Sequence, residues 1–388
     1  MNSLSDDQTF AVSALLHWFE HDISNKKYIS LGGYAGTGKT TLVAMLRDKL
    51  HAENKKLKIA FVAYTGKAAR VLRSKLMQAN AVLAQDSIST IHGLIYTPVV
   101  NKREEIIGWK QKDTIEYDLI IIDEASMVDE RIWHDLLSYN IPIIAVGDHG
   151  QLPPIQGSYS LMTKPDLTLT HIHRQAKQNP IIGLSIQARE HGYIRPGNYS
   201  AYVRKYSSEN PDFHEEMQEM ISTYAPDVLV LCGYNNTRKK LNQRIRFSLG
   251  FESQDPLPGD RVICLRNSHK HQIYNGMLGS ITEIHSDGEE WYEAEIQMDD
   301  GDLFHGRISK KQFGSNTALN FTDKRSKIMA GELFDFGYAL TVHKAQGSQA
   351  KKVVLFEERF KKMSDQEWKQ WLYTAVTRAE EELIIFGS

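Results

Sequence analysis

Apolar positions follow two rhythms along this chain. Tyr28 to Gly32, Lys58–Ala63, Leu119–Ile122 and Ile141–Val146 are short runs that stay apolar without alternating, as parallel strands covered on both faces must be. The first run ends in glycines, and Leu42, Val43, Leu46 and Leu50 then fall at helical spacing, so a strand, a glycine turn and a helix follow one another. The first half therefore predicts an α/β domain. The stretch from Ile95 to Tyr117 is polar, with Lys102, Arg103, Lys110 and Lys112 around Trp109, and predicts an insertion. A helix over Ile181–Glu190 and a polar connector rich in Tyr, Ser and Asn lead to a strand at Val228–Cys232, where a second α/β region begins. From Gly259 to about Phe321, alternating segments at Arg261–Leu265, Leu278–Ile284 and Trp291–Met298 are spaced by Asn275-Gly276, Asp287-Gly288 and Asp300-Gly301 turns. This pattern predicts a small β-barrel insertion. The α/β pattern resumes near Gly337 and closes on a strand at Leu383–Phe386.

At 388 residues the chain is long enough for two principal cores, which suits this division. No stretch approaches the roughly 18 apolar residues of a membrane span. Met1 to Thr9 lacks the basic-then-apolar layout of a secretory leader, and only Cys232 and Cys264 are present, so a reduced intracellular setting is expected. A net charge of −2 gives no bulk attraction to nucleic acid, so any such contact must come from a local groove.

The clearest chemistry lies between the first strand and its helix. Gly33-Tyr34-Ala35-Gly36-Thr37-Gly38-Lys39-Thr40 matches the P-loop pattern in the context it requires. The glycines let backbone N–H groups curl around phosphates, aided by the helix N-terminus, while Lys39 reaches the β and γ phosphates and the Thr40 hydroxyl ligates Mg²⁺. The cofactors expected are thus ATP and Mg²⁺, with Gly33, Ala35, Gly36, Thr37, Gly38, Lys39, Thr40 and Thr41 around the nucleotide. Asp123-Glu124 ends an apolar strand, where α/β sheets place ligands. Asp123 is expected to hold Mg²⁺ through water and Glu124 to orient and deprotonate the attacking water. Consecutive Asp-Glu followed by Ala125-Ser126 favours hydrolysis over phosphoryl transfer to a small-molecule acceptor.

With these residues in place the chain resembles superfamily-1 helicases of the RecD-like and Dda-like group, nearly end to end. Leu4-Ser5-Asp6-Asp7-Gln8 is similar to their opening motif, which implies that Gln8 reads adenine. Gly147-Asp148-His149-Gly150-Gln151-Leu152-Pro153-Pro154 is similar to motif III, with Gln151 sensing the γ-phosphate. Arg174 in His173-Arg174-Gln175 resembles motif IV, and Arg378 in Tyr373-Thr374-Ala375-Val376-Thr377-Arg378 resembles motif VI; both are expected as charge-stabilising fingers. Because Arg378 falls in the second domain, the resemblance implies that the domains close for hydrolysis. Thr65-Gly66-Lys67-Ala68-Ala69, Ser89-Thr90-Ile91-His92 and Leu340-Thr341-Val342-His343-Lys344-Ala345-Gln346-Gly347 are similar to motifs Ia, Ib and V. They imply a single-strand track through Thr65, Lys67, Ser89, Thr90, His92, Thr341, His343 and Lys344. Thr65, Ser89 and Thr341 could instead be helix N-caps. Tyr64 stands where the group usually has Pro in motif Ia, and a tyrosine could stack on a base; Gln349 replaces a Glu often found after motif V.

The fold implied is α/β, with two RecA-like P-loop NTPase domains built on parallel sheets. The first covers residues 1–178 with a short insertion at 95–117, the second covers 179–258 and 331–388, and an SH3-like β insertion fills 259–330. The implied activity is ATP-dependent movement along single-stranded DNA, 5′ to 3′, with unwinding at duplex junctions. Trp109, beside Lys110 and Lys112, is a candidate wedge, or a residue packed on its own domain. The basic run from Arg266 to His271 is a solvated loop or a further DNA contact. The resemblance also implies a monomer, a cytoplasmic place in a bacterial or phage-infected cell, a single-strand-binding protein as a candidate partner and no membrane partner. Two other functions remain open: an ATPase acting on RNA or displacing bound proteins without unwinding, and a P-loop switch that clamps a partner.

Overall fold

A computed structural model describes residues 4–100, 106–154, 160–172, 178–268, 270–271, 273–316, 318–319 and 330–387. The chain divides into two compact units, one of residues 1–98 and 109–186 and the other of residues 99–108 and 187–388.

Up to residue 169 the elements run α1 (Asp6–His17), β1 (Tyr28–Gly33), α2 (Lys39–Glu53), β2 (Ile59–Ala63), α3 (Gly66–Gln78), β3 (Ser87–Thr90), α4 (Ile91–Ile95), β4 (Tyr96–Val100), β5 (Ile106–Gln111), β6 (Leu119–Asp123), α5 (Glu130–Leu137), β7 (Ile143–Gly147) and β8 (Leu167–Leu169), all in the first unit except the ends of β4 and β5 within residues 99–108. Six of these strands form one parallel sheet in the order β3-β2-β6-β7-β1-β8, and β4 and β5 pair separately. The uniformly apolar runs are buried along both faces, as their lack of alternation requires. Leu15, Leu31, Leu42, Leu46 and Phe61 fill one side of the sheet, and Ile91, Ile120, Ile132, Trp133 and Leu136 the other. The insertion at 95–117 contains the β4–β5 pair. Lys112 anchors its exit, donating to Gly93 O at 2.9 Å and Leu94 O at 2.8 Å, and so meets the negative end of α4.

The second unit follows α6 (Pro180–His191) with β9 (Gly197–Ser200), β10 (Val203–Ser207), α7 (Phe213–Ser222), β11 (Val228–Cys232), α8 (Asn235–Ser248), β12 (Arg261–Cys264), β13 (Leu278–Asp287), β14 (Trp291–Met298), β15 (Leu303–Ser309), β16 (Phe334–Phe336), β17 (Ala339–Thr341), β18 (Ala350–Phe356), α9 (Asp365–Val376) and β19 (Ala379–Gly387). Its main sheet has the order β17-β11-β18-β19-β10-β9, parallel except for β9 at the edge. The polar connector expected before Val228 is thus largely regular. β10 joins the sheet despite its charged sequence because Lys205 is buried against Glu357 on β18's exit at 2.5 Å, hiding a strand behind an ion pair. The expected β insertion is a five-stranded antiparallel sheet, β15-β14-β13-β12-β16. Its turn glycines Gly276, Gly288 and Gly301 take φ of 92°, 68° and 93°, the left-handed region that the Asn-Gly and Asp-Gly pairs anticipate.

Candidate nucleotide site

β1, β7 and β6 lie side by side, so their C-terminal ends bring three motifs together: the glycine loop, Gly147-Asp148 and Asp123-Glu124. The loop's turn is built for glycine. Gly38 caps α2 at φ 76°, and a Cβ on Gly33 would lie 2.6 Å from Thr37 Oγ1. Thr37 is itself buried, its hydroxyl donating to Tyr34 O at 2.8 Å, which fixes the loop's shape from inside. Lys39 Nζ lies back on the loop, donating to Gly33 O at 2.7 Å and Tyr34 O at 3.1 Å, with Asp148 Oδ2 at 3.9 Å. Thr40 is half-buried in the first turn of α2, and Thr41 is exposed.

Burial pushes the Asp123 carboxyl above the usual carboxylate range, against the pull of Lys39 and the Glu124 N–H. Glu124 adopts φ 53°, ψ 40°, a left-handed conformation that is uncommon outside glycine and that clusters at functional turns. Asp148 accepts from Gly150 N at 2.9 Å and faces Gln151 Nε2 at 3.5 Å, fixing the loop after β7. Gln151 is buried, and its Oε1 has no hydrogen-bond partner among the described residues. A buried amide oxygen left in that state costs free energy until something polar meets it.

Gln8 is placed on the glycine loop, but by its own hydrogen bonds. Its Nε2 donates to Thr37 O at 3.1 Å and its Oε1 accepts from Ser5 N at 3.1 Å, so the amide ties the start of α1 to the loop. Next to it, Asp7 clamps another strand end: Oδ2 accepts from Thr170 N at 2.9 Å and His171 N at 2.8 Å, just past β8. Burial raises the Asp7 pKa, but the Ser5 hydroxyl and the N–H groups of His171, Thr170 and Gln8 outweigh it and hold the carboxyl below its ordinary value. Arg174, three residues beyond, lies outside the described residues. Neither the Asp7 clamp nor the Asp148 role was read from sequence. The acidic residue before Gln8 and the Gly-Asp pair ending a strand were the available signals.

The track residues are seated as follows. Thr65 caps α3, accepting from Ala68 N at 3.1 Å, and Thr90 rather than Ser89 caps α4, accepting from Gly93 N at 3.0 Å. Ser89 instead donates its hydroxyl to Thr90 O at 3.1 Å, and Lys67 is half-buried at the start of α3. His92 packs on Tyr96 with ring centroids 4.8 Å apart, and burial lowers its pKa; burial likewise lowers that of His343. Each is thereby held toward the neutral imidazole. Tyr64 is held by a side-chain hydrogen bond to Asp129, the N-cap of α5, and packs on the first unit's core, which restrains it as a base-stacking platform. In the second unit Thr341 is buried at the end of β17, and Lys344 Nζ donates to Asn275 Oδ1 at 3.1 Å, its pKa lowered by burial. Gln349 Nε2 reaches Thr377 O at 3.5 Å. Arg378 is fully buried within that unit. Its guanidinium donates to Thr374 O at 3.0 Å, Ser348 O at 3.2 Å and Thr377 Oγ1 at 3.2 Å, and it joins no ion pair among the described residues. Trp109 is about one-third exposed on β5 (38%), Lys110 pairs with Asp113, and Arg266 pairs with Glu332.

Comparison with known proteins places the chain in a family. Residues 3–206 match the AAA domain model and residues 336–386 match the UvrD-like helicase C-terminal domain. The ATP-dependent RecD2 DNA helicase of Deinococcus radiodurans is 27% identical over 394 aligned residues, covering 94% of this chain and 48% of that protein. The ATP-dependent DNA helicase dda of Enterobacteria phage T4 is 26% identical over 265 residues, covering 61% of this chain and 56% of that protein. The chain thus spans about half the length of these two relatives. A crystal structure of Bacteroides Pif1 bound to ssDNA superposes with a TM-score of 0.54 at 17% identity, covering 99% of this chain and 92% of that one, which establishes a shared fold. Among the described residues no helix is long and apolar enough to cross a membrane. The AAA domain match alone takes in more than half of the chain, which therefore belongs to that family and, over nearly its whole length, is similar to superfamily-1 helicases of the RecD-like group.

Proposed function

We propose that the chain is an ATP-dependent DNA helicase that moves along single-stranded DNA, 5′ to 3′, and unwinds duplex at a junction. The observation that carries this reading is the meeting of the glycine loop, Asp123-Glu124 and Asp148–Gln151 at the ends of three neighbouring strands. In this reading Lys39 leaves the Gly33 and Tyr34 carbonyls for the β and γ phosphates, exchanging two neutral acceptors for charged ones. Glu124 orients and deprotonates water, and the unpaired Gln151 Oε1 takes a hydrogen bond from that water, reporting the state of the γ-phosphate. Among the described residues no three His, Cys, Asp or Glu side chains gather into a metal cage. A hydroxyl from Thr40 and a carboxylate from Asp123 suit Mg²⁺, which takes its other ligands from phosphates and water and would neutralise phosphate charge there. Gln8 holds the loop through Thr37 O, and in this reading it selects adenine.

The track residues contact phosphates through hydroxyls, N–H groups and neutral imidazoles, which carry no sequence information and suit a translocating enzyme. The five-stranded sheet is the SH3-like insertion of this reading, the units carry the two RecA-like domains, and Trp109 is the candidate wedge. The test is steady-state ATP hydrolysis with Mg²⁺, alone and with single-stranded DNA, single-stranded RNA or duplex, followed by unwinding of forks with a 5′ or a 3′ tail. Stimulation by single-stranded DNA and unwinding of the 5′-tailed fork are expected. Equal stimulation by RNA would move the reading to an RNA-acting enzyme, and indifference to every nucleic acid would move it to a switch. A Trp109→Ala variant that unwinds at the wild-type rate would remove the wedge.

A further inference from the structure

The second unit carries a groove of about 920 Å³ between α7, α8 and the five-stranded sheet, lined by no residue assigned to ATP or to the track, although its inner wall reaches β17, where Asn242 donates to Ala339 O at 3.1 Å. Its floor is apolar, with Met217, Phe251, Phe313 and Phe336, and its rim is cationic. Two of the lining arginines are already committed: Arg238 to Asp335 at 2.9 Å and Arg246 to Asp260 at 2.8 Å. Lys239, Lys240 and Arg244 are not, since among the described residues none of them enters an ion pair; Arg244 donates only to the neutral Gln218 Oε1 at 2.8 Å. Among the described lining residues Glu252 is the one carboxylate besides Asp335. At the rim Phe247 is 71% exposed, one helical turn from Arg244. Large aromatic side chains exposed beside uncommitted cations mark a contact surface rather than a solvated face.

The topology separates this rim from the strand track. α8 starts directly after β11, whose last residue, Cys232, pairs with Thr341. Its 14 residues then run back along the sheet for about 20 Å. Arg244 and Phe247 therefore lie toward the edge opposite Thr341, His343 and Lys344. The chain's own segment 320–329 has the wrong sign to fill the groove, carrying Lys324, Arg325 and Lys327 against Asp323.

We propose that this groove docks an acidic peptide of a partner protein, carboxylates on Lys240 and Arg244 and an aromatic side chain against Phe247 and Phe251. The test uses a fluorescein-labelled octapeptide of Asp and Glu ending in Phe, titrated with the full chain and read by fluorescence anisotropy. Saturable binding is expected, weakened about tenfold or more by Arg244→Glu and, separately, by Phe247→Ala, with basal ATP hydrolysis unchanged. Thermal melting checks each variant, and Lys240→Glu replaces Arg244→Glu if the latter melts early. The proposal is overturned by a titration that does not saturate, by equal binding of an octapeptide lacking Phe, or by affinity that neither charge reversal nor Phe247→Ala changes. It is also overturned if Arg244→Glu weakens single-stranded DNA as much as the peptide, which would make the groove a nucleic-acid surface.

Discussion

α2 and α8 both begin just past a parallel strand, and their first turns are treated in opposite ways. In the first unit the N-terminal N–H groups of α2 open onto the glycine loop, capped only by Gly38, with Lys39 folded against the loop's carbonyls. In the second unit Glu358, at the exit of β18, fills the corresponding place. Its Oε2 accepts from Gly233 N at 2.9 Å and Tyr234 N at 3.0 Å, and its Oε1 accepts from Thr237 Oγ1 at 2.5 Å. Both helices present the same dipole and the same unsatisfied donors. The first opens onto the glycine loop, whereas at the second a carboxylate of the chain's own takes the N-cap Tyr234 N–H, the preceding Gly233 N–H and the Thr237 hydroxyl. A parallel sheet thus offers a phosphate site at any such turn, and the loop sequence decides whether it stays open.

The comparison breaks most sharply at the open end. Lys39→Ala and Glu124→Gln should each lower ATP turnover by about 10³-fold or more while leaving thermal melting near wild type, since neither side chain supports a core. Loss of activity with equally large loss of folding would mean that the loop is structural. At the closed end, Glu358→Ala should destabilise the chain by about 0.5–2 kcal/mol in urea denaturation, because it removes a cap without supplying another acceptor. An unchanged midpoint would show that water replaces the carboxylate at no cost.

The smallest effect expected is at Asp7. Its folded pKa lies below its unfolded one, so its contribution is fully present above the unfolded value, near ~3.9, and is lost as pH falls through the folded value. Asp7→Asn should therefore melt below wild type at pH 7, with the gap narrowing below about pH 4. A gap independent of pH would contradict the clamp on Thr170 and His171.

What could be read from sequence was what is local. The glycine loop, Asp123-Glu124 and the apolar strands each declare themselves within a few residues, because phosphate cradles and two-sided burial constrain consecutive positions. The cap on α4 shows the limit of that reading: Ser89 and Thr90 are equally good caps by type, and only the start of the helix selects Thr90. β10 was hidden because Lys205 reads as solvent-facing until Glu357 is beside it, and β15 because Gly306 and Arg307 interrupt its alternation. Glu358 closing α8 and Asp7 clamping the end of β8 act across 125 and 163 residues of sequence, respectively, beyond any periodicity. The roles proposed for the residues at the open end rest on their types, whereas the contacts that hold them came only from the fold.

The most direct measurement is calorimetric titration of a non-hydrolysable ATP analogue with Mg²⁺ into the wild-type chain, Lys39→Ala and Glu358→Ala. One site per chain is expected, lost in Lys39→Ala and unchanged in Glu358→Ala. Two sites, or one that survives Lys39→Ala, would contradict the assignment of the open turn of α2 as the place where this protein holds its nucleotide.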